Sequence, residues 1–324
     1  MKAIICTKYG SPEVLHITDV EKPAPKDNEV LIKIHATTVS AADYRIRGMN
    51  VPPSFLLLAK LSMGWSKPKK DILGAELSGE IEEIGKFVTK FKKGDKVIAY
   101  PGHNTFGAYA EYIAMSENDL LALKPKNLKD TDAAAVSFGG LTALYFLKAA
   151  KIEKGQKVLI YGASGSVGSA AVQIAKSFDA KVTAVSSTKN LDLINKLGAE
   201  KVIDYTKEDF TEAEETYDIV FDTVSKVPFR KALKAVKDGG VYMQTVATPD
   251  LLLQMKIAEK FTGKKLIGGT MIPTVENLNF LKALVEKGKY KPVIDKIYKF
   301  NQIVEAHMYV DKGHKKGNVV ITVI

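Results

Sequence analysis

The chain has 324 residues, more than one typical domain, so its length predicts two. Hydrophobic residues make up 46% and charged residues 26%, as in ordinary globular proteins, and the single cysteine, Cys6, excludes an internal disulfide and a cysteine-rich zinc site. No apolar run reaches the roughly 18 residues of a membrane-spanning helix and no signal-peptide pattern is present, so the predicted location is the cytoplasm.

The net charge of +10 leaves open a nucleic-acid or membrane-surface partner. The lysines are spread along the chain in pairs such as Lys92-Lys93 and Lys315-Lys316, without a long basic run. Aromatic residues are not interleaved with them as in RNA-binding modules. The pattern therefore favours a solvated lysine-rich surface and predicts no nucleic-acid partner, although a positive cleft would also suit a phosphorylated small ligand.

Residues 1–120 are rich in short alternating segments. "EVLIKIHATTV" places Val30, Ile32 and Ile34 on one face, as in a half-buried strand. "ELSGEIEEIG" and "DKVIAY" also predict strands, separated by glycine turns. This half of the chain is therefore predicted to form an antiparallel barrel or sandwich.

Residues 49–70 fit neither a strand nor a clean helix. They contain Pro52-Pro53, an apolar stretch from Phe55 to Leu58, and the only tryptophan, Trp65. The segment is predicted to be either a packed lid or a mobile loop.

From about residue 130 the hydrophobic period changes. One helix is predicted over "DTDAAAVSFGGLTALYFLKAA", and short apolar strands then alternate with helices near 167–178, 189–197 and 228–236. This alternation is typical of a parallel, doubly wound α/β sheet. After residue 276 a helix leaves the pattern, and a strand, a helix and a final strand follow.

The stretch "YGASGSVG" follows one of these strands and opens a helix. Gly162 and Gly165 would let the backbone turn tightly and approach a pyrophosphate, and Gly168 would let the helix pack closely on the sheet. The N–H groups at the start of the helix bind phosphate readily. The position in a strand–turn–helix unit predicts a dinucleotide site over the residues Gly162, Ala163, Ser164, Gly165, Ser166, Val167 and Gly168.

The end of the second strand selects between the two nicotinamide dinucleotides. An NAD site places an acidic residue there to bind the ribose 2′-hydroxyl. Here the strand ends "AVSSTKN", so Ser187 and Lys189 stand where that acid would be. Hydroxyls and an ammonium group suit a 2′-phosphate, which predicts NADPH as the cofactor.

The order of motifs resembles the medium-chain dehydrogenase/reductase superfamily along essentially the whole chain. The motifs are "FGAYAEY", "GGLTALYFL", "GASGSVG", "LGAEKVIDY" and the tail "GHKKGNVVI". The resemblance is greatest to the zinc-free branch of quinone oxidoreductases and alkenal/enone reductases. It implies a GroES-like, β-rich catalytic domain over 1–124, joined by the C-terminal segment 272–324, and a Rossmann NADP-binding domain over 125–271.

Zinc-containing members of the superfamily carry a cysteine and a histidine where this chain has Ser40, in "VSAADYRIRG", and Ala75, in "LGAELSG". Serine and alanine do not form a zinc site, so no catalytic metal is predicted. A metal-dependent alcohol dehydrogenase is the weaker alternative, because zinc activates the alcohol in that reaction.

The resemblance also implies roles for individual residues. The 2′-phosphate contacts fall on Ser187, Lys189, Asn190 and Tyr205. Contacts to the nicotinamide half fall on Thr142, Thr245 and Val246. The tail segment that closes over the cofactor corresponds to Lys316, Gly317 and Asn318.

The catalytic cleft is expected between the domains, at the carboxyl ends of the parallel strands. The candidates facing it come from "VSAADYRIRG" and are Ser40, Asp43, Tyr44 and Arg47. Tyr44 would donate a hydrogen bond or a proton to the oxygen that gains charge, and Asp43 more plausibly fixes the local loop than moves protons. The apolar stretch Phe55–Trp65 would shape a flat acceptor pocket.

These features predict a zinc-independent reductase that transfers hydride from NADPH to a quinone or to the C=C bond of an α,β-unsaturated carbonyl, without selecting between these small apolar acceptors. A non-enzymatic NADPH-binding sensor or RNA-binding protein stays open as an alternative, given the net charge. A homodimer is expected, with "KLIGGT" (265–270) as the exposed sheet edge.

Overall fold

The computed structural model describes residues 1–51, 56–103 and 105–323. Its backbone contacts divide the chain into two compact units. Unit 1 comprises Met1–Phe138, Thr274–Glu286 and Val293–Ile324, and unit 2 comprises Gly139–Pro273 and Lys287–Pro292. Residues 125–138, which the sequence grouped with the second domain, thus lie in unit 1.

The first part of unit 1 is mainly strands. Its elements are β1 (Lys2–Cys6), β2 (Leu15–Asp19), β3 (Glu29–Thr38), α1 (Ala41–Gly48), α2 (Leu56–Met63), β4 (Leu77–Ile84), β5 (Lys96–Ala99), β6 (Tyr112–Ser116), β7 (Leu121–Leu123) and α3 (Asp130–Ala133). The period-2 alternation predicted for β3 is real: Val30, Ile32 and Ile34 are buried together in one apolar cluster.

Helices and parallel strands alternate through unit 2. The elements are α4 (Ser137–Ala149), β8 (Lys157–Tyr161), α5 (Ser166–Ser177), β9 (Lys181–Ser186), α6 (Leu191–Lys196), β10 (Lys201–Asp204), β11 (Tyr217–Asp222), α7 (Phe229–Ala232), β12 (Val236–Gln244), α8 (Pro249–Thr262) and β13 (Lys265–Gly268). All strand pairs are parallel, in the order β10-β9-β8-β11-β12-β13. This order confirms the doubly wound α/β sheet predicted from the sequence.

The last part of the chain returns to unit 1 through α9 (Val275–Glu286), β14 (Ile294–Lys299), α10 (Ile303–Asp311) and β15 (Asn318–Thr322). Strand β15 pairs with β3 antiparallel and with β14 in parallel. The sheet order is β14-β15-β3-β4-β5-β7, with β6 on β3. The residues that follow β14 are therefore fixed beside the N-terminal strands.

Several elements differ from the sequence prediction. The helix expected over 130–150 is two helices, because the chain between Ala133 and Ser137 makes tighter turns. Helices α1, α2 and α8 were not predicted. The expectation of a lid or loop at 49–70 is replaced by helix α2 over Leu56–Met63, while the Pro52–Phe55 part of that expectation lies outside the described residues.

The single thiol lies at the end of β1. Cys6 is fully buried, and its Sγ donates to the Lys8 carbonyl over 3.3 Å. Burial raises the pKa of the thiol to about 11. The neutral thiol therefore behaves as a small core residue.

Candidate active site

The glycine turn connects β8 to α5. Gly162 has φ 79°, a conformation that favours glycine, and a Cβ there would lie 2.1 Å from Val224 Cγ2. A Cβ on Gly168 would lie 2.2 Å from the Gly162 carbonyl oxygen, so the helix packs directly on the turn. Ala171 and Ile174 bury the opposite face of α5. The turn therefore has the build predicted for a dinucleotide site.

Gly165 differs from the other two glycines of the turn. It caps the N-terminus of α5 with φ −77°, which any residue adopts, and it offers no side chain to the first-turn N–H groups. A Cβ there would touch only the Gly162 carbonyl oxygen, at 3.5 Å. Because the protein itself does not require a glycine here, the open space over Gly165 fits the close approach of a ligand phosphate.

Asn190 joins this turn to the end of the second strand. Its side chain is buried, and Nδ2 donates to the Ser164 hydroxyl over 3.0 Å and to the Ser187 hydroxyl over 3.3 Å. Lys189 beside it is exposed. Three residues predicted near the 2′-phosphate or the turn are thus brought together by one amide.

A carboxylate that the sequence analysis did not consider lies one strand away. Asp204 ends β10 opposite Ser186 and accepts hydrogen bonds from the Thr188 hydroxyl, at 2.5 Å, and from the Thr206 hydroxyl, at 2.7 Å. The Thr188 bond is the largest cause that lowers the pKa of this carboxyl. Next in sequence, Tyr205 is 51% exposed, and its ring packs edge-on to Tyr161.

The remaining candidates of unit 2 lie on other elements. Thr142 is buried on α4, and its hydroxyl lies 3.3 Å from Met271 Sδ. Thr245 follows β12 and its N–H donates to the Asp222 carbonyl over 3.2 Å, while Val246 is 38% exposed. Since parallel strands end at one edge of a sheet, the turn after β8 and the residues after β9, β10 and β12 share that edge.

In unit 1, Ser40 and Asp43 hold the start of α1. The Ser40 hydroxyl donates to Asp43 Oδ2 over 2.6 Å, and the Ser40 N–H donates to the same oxygen over 2.8 Å. Asp43 Oδ1 accepts the Gly74 N–H over 3.0 Å. Asp43 is fully buried, and burial raises its pKa to about 6. This reciprocal capping is the loop-fixing role expected of Asp43.

Arg47 and Tyr44 have different environments. Arg47 is 1% exposed and donates from Nη2 to Asp311 over 2.6 Å. The expectation that Arg47 faces a substrate is therefore not met, because its guanidinium lies in the core. Tyr44 is half-buried, with the Arg45 guanidinium 5.8 Å from its ring centre. Tyr44 is the candidate from this segment whose side chain keeps an open face and a hydroxyl.

Glu76 was missed by the sequence analysis, although it follows Ala75 in the quoted "LGAELSG". It is fully buried and accepts the Thr38 hydroxyl over 2.7 Å and the Phe138 N–H over 2.6 Å. Burial raises its pKa to about 7. A buried carboxylate thus caps the first turn of α4 from a distant strand.

The C-terminal tail forms a turn fixed to β14 and its preceding residue. The Lys316 N–H donates to Asp295 over 2.9 Å, and the Asn318 side chain donates to the Val293 carbonyl over 3.0 Å. Gly317 has φ 64°, and a Cβ there would lie 2.2 Å from the Val293 carbonyl oxygen. Lys315 is half-buried, which lowers its pKa to about 8, and it donates to the Gly317 carbonyl over 2.5 Å.

Two searches of the described residues, 1–51, 56–103 and 105–323, gave no hits. Within these ranges, no group of three His, Cys, Asp or Glu side chains is arranged to hold a metal ion. No helix in them is long and apolar enough to cross a membrane.

Family models match three parts of the chain. They describe an alcohol dehydrogenase GroES-like domain at residues 26–126, the C-terminal domain of alanine dehydrogenase/PNT at 133–245, and a zinc-binding dehydrogenase at 197–321. These matches confirm the GroES-like and Rossmann-type domains predicted from the sequence.

Relatives match over almost the whole chain. A 2-methylene-furan-3-one reductase of Solanum lycopersicum is 36% identical over 99% of this chain and 79% of its own length. An NADPH-dependent alkenal/one oxidoreductase of Arabidopsis thaliana is 32% identical with the same two coverages. The solved structure of a quinone oxidoreductase from Coxiella burnetii superimposes with a TM-score of 0.89 at 30% identity, covering 100% of this chain and 99% of that one. The chain is a pyridine-nucleotide oxidoreductase of the quinone/alkenal reductase type and belongs to the medium-chain dehydrogenase/reductase superfamily.

Proposed function

We propose that the protein is an NADPH-dependent, metal-independent reductase that transfers hydride to quinones or to the C=C bond of α,β-unsaturated carbonyls. The observation that carries the proposal is the end of β9. There the Ser187 hydroxyl is held to the glycine turn by Asn190, and exposed Lys189 stands where an NAD site has an acid. This group of donors suits a 2′-phosphate.

The neighbouring carboxylate supports the same preference. Asp204 accepts the hydroxyls of Thr188 and Thr206, and its Oδ2 lies 3.9 Å from Lys207 Nζ. Its lone pairs are thereby engaged within the protein rather than offered to a ribose hydroxyl. An acid is present near the site, but its contacts are not those of an NAD-selecting residue.

The bound cofactor would supply hydride from C4 of its reduced nicotinamide. The chain's own residues would bind and orient it. We assign the pyrophosphate to the N–H groups of Gly162–Gly168, and the 2′-phosphate to Ser187, Lys189, Asn190 and Tyr205. The nicotinamide half is assigned to Thr142, Thr245 and Val246, with the tail residues Lys316, Gly317 and Asn318 closing over the cofactor.

Tyr44 is our candidate for the donor to the acceptor oxygen. When hydride adds to the β-carbon of an enone, negative charge develops on the carbonyl oxygen and a hydrogen-bond donor stabilises it. The hydroxyl of Tyr44 can supply that bond, and α1 holds Tyr44 in place because Ser40 and Asp43 fix its first turn. A quinone needs less help, since it is already strongly electrophilic.

The test follows the absorbance of NADPH with purified protein in excess chelator. An ortho-quinone and an acyclic enone are offered separately, with NADH as the comparison. Turnover with NADPH and little with NADH is expected, and the faster acceptor names the substrate class. NADPH binding without turnover on either acceptor would overturn the proposal and favour a non-enzymatic NADPH-binding protein.

We further propose a homodimer that forms through β13. This strand pairs with β12 on one side and is the last strand of the six-stranded sheet. Beside it in the chain, α8 exposes Phe261 at 85% and Leu253 at 61%. Light scattering should give twice the chain mass; a monomer at all accessible concentrations would contradict the proposal. A cytoplasmic location stays a prediction.

A further inference from the structure

The most exposed apolar segment of unit 1 is α2 and the turn that follows it. Leu57, Leu58, Leu61 and Trp65, which we call the leucine–tryptophan patch, are 62%, 70%, 62% and 63% exposed, respectively. Leu57 and Leu61 lie one helical turn apart on the same face. Neither of the two roles open to this segment from the sequence, core packing or an enclosed pocket wall, accounts for side chains that face solvent.

The patch stands on a fixed base. The Tyr9 hydroxyl donates to the Gly64 carbonyl over 3.0 Å, and the Cys6 N–H donates to the Asp71 carbonyl over 2.7 Å. Gly64 has φ 123°, and a Cβ there would lie 2.1 Å from the Lys67 carbonyl oxygen. The tight turn after α2 therefore needs this glycine, and β1 holds the whole segment in place.

Cations surround the patch. Lys67, Lys69 and Lys70 are exposed just beyond Trp65, and the Lys60 ammonium lies 5.2 Å from the centre of the tryptophan ring. Between residues 56 and 71 the chain carries four lysines and one acid, Asp71. The sequence pattern alone had favoured a dispersed lysine surface, and the structure adds the apolar side chains at its centre.

This combination favours one kind of partner. Interfaces between proteins are depleted in lysine, so a second copy of the chain or another folded protein fits the patch poorly. A bilayer with anionic headgroups suits both halves of it, because leucines enter the boundary of the acyl chains while lysines meet phosphates and carboxylates. Tryptophan is enriched at that boundary in membrane proteins.

We propose that the leucine–tryptophan patch docks the protein on membranes rich in anionic phospholipid, as a peripheral protein with no segment spanning the bilayer. The inference goes beyond the proposed reductase function and does not depend on it. The experiment below contains neither NADPH nor acceptor, so its failure and that of the reductase assignment are distinguishable.

Trp65 is the only tryptophan, so the intrinsic fluorescence of the full chain reports on the patch alone. We expect a blue shift and co-sedimentation with phosphatidylserine-rich vesicles, little of either with phosphatidylcholine vesicles, and reversal by high salt. No shift with the anionic vesicles would overturn the proposal. So would a shift that appears without vesicles as protein concentration rises, which would mean that a second copy covers the patch.

Variants locate the contact. Leu58→Ser with Leu61→Ser should weaken vesicle binding by about tenfold or more. Replacing Lys67, Lys69 and Lys70 by Ala should weaken it by about fivefold for each charge. Thermal melting should stay unchanged in both, because the side chains are exposed.

The matched control lies on another surface. Phe87 is 63% exposed with the Lys86 ammonium 4.9 Å from its ring centre, the same pairing as Trp65 and Lys60. Phe87→Ser with Lys86→Ala should leave vesicle binding as in the wild type. If this control weakens binding as much as the patch variants do, binding follows net charge and apolarity, and the assignment to α2 is overturned.

Discussion

The side-chain amide of Asn190 donates to the Ser164 hydroxyl over 3.0 Å, and so ties the glycine turn after β8 to the residues after β9. Because Asn190 is buried and positions two hydroxyls, Asn190→Ala should weaken binding of NADPH and NADH alike, by about tenfold each. Titration of cofactor fluorescence measures both constants. The control is Asn195→Ala, on the exposed face of α6. Unchanged affinity in Asn190→Ala would remove its positioning role.

Lys189 should act on NADPH alone. An ammonium group beside the 2′-phosphate favours the phosphorylated dinucleotide and has no counterpart charge on NADH. We expect Lys189→Ala to raise the Kd for NADPH by about tenfold and to leave that for NADH unchanged, an effect that shrinks at high salt. Lys196→Ala, on the same exposed helix, is the charge-matched control. Equal losses for both cofactors would contradict a 2′-phosphate contact.

The glycines of the turn should separate binding from folding. In Gly168→Ala the new Cβ would lie 2.2 Å from the Gly162 carbonyl oxygen, so thermal stability should fall by several degrees. In Gly165→Ala the backbone is already allowed, and we expect a near wild-type Tm with NADPH binding weakened by at least about tenfold. A Gly165→Ala protein that binds NADPH normally would show that no phosphate approaches this residue.

Glu76 should make stability fall as pH rises. Its folded pKa is about 7, raised by burial from an ordinary 4.5, so between these values unfolding releases a proton. The free energy of unfolding therefore decreases with rising pH over that window. Glu76→Gln, which can still accept the Phe138 N–H, should remove about 2–3 kcal/mol of this decrease.

Urea unfolding at about pH 5 and about pH 8 measures this difference. Glu80→Gln exchanges the same atoms on the same strand and is the control. Comparison of each variant with the wild type removes the contributions of the other buried groups, Asp43 and His307. A Glu76→Gln protein with the wild-type pH dependence would contradict a buried, protonated carboxyl.

The ion pair of Arg47 should be structural. Asp311→Asn leaves a buried guanidinium without its carboxylate and should destabilise the fold by about 2–4 kcal/mol. Arg47→Met should cost less and should keep kcat within about twofold, because the guanidinium does not face solvent. A large loss of kcat in a stable Arg47→Met protein would restore the catalytic role expected from the sequence.

Periodicity predicted the six-stranded sheet because each of its strands is a short apolar run between turn residues. Helix α8 carries local signals, with Thr248 as N-cap, Pro249 at the first position and Gly263 beyond the end, but the sequence analysis did not use them. Its apolar residues Leu253, Ile257 and Phe261 are exposed rather than directed to the core. The packing of α8 was therefore not predictable from hydrophobicity alone.

The site itself was predictable where the chemistry is local and was missed where it is remote. The glycine turn and Ser187 stand next to one another along the strand–turn–helix pattern. The role of Glu76 depends on a contact with Phe138, 62 residues away, and that of Asp204 on a neighbouring strand. Arg47 was read as a surface cation because composition cannot reveal that Asp311, 264 residues on, draws it into the core.

The buried thiol of Cys6 has a consequence for an enzyme of this kind. Quinones and enones are soft electrophiles that add to thiolates and so inactivate proteins. The only thiol of this chain is fully enclosed and held neutral by its raised pKa. A reductase built in this way keeps its single soft nucleophile out of reach of its own substrates, and repeated turnover would proceed without self-alkylation at sulfur.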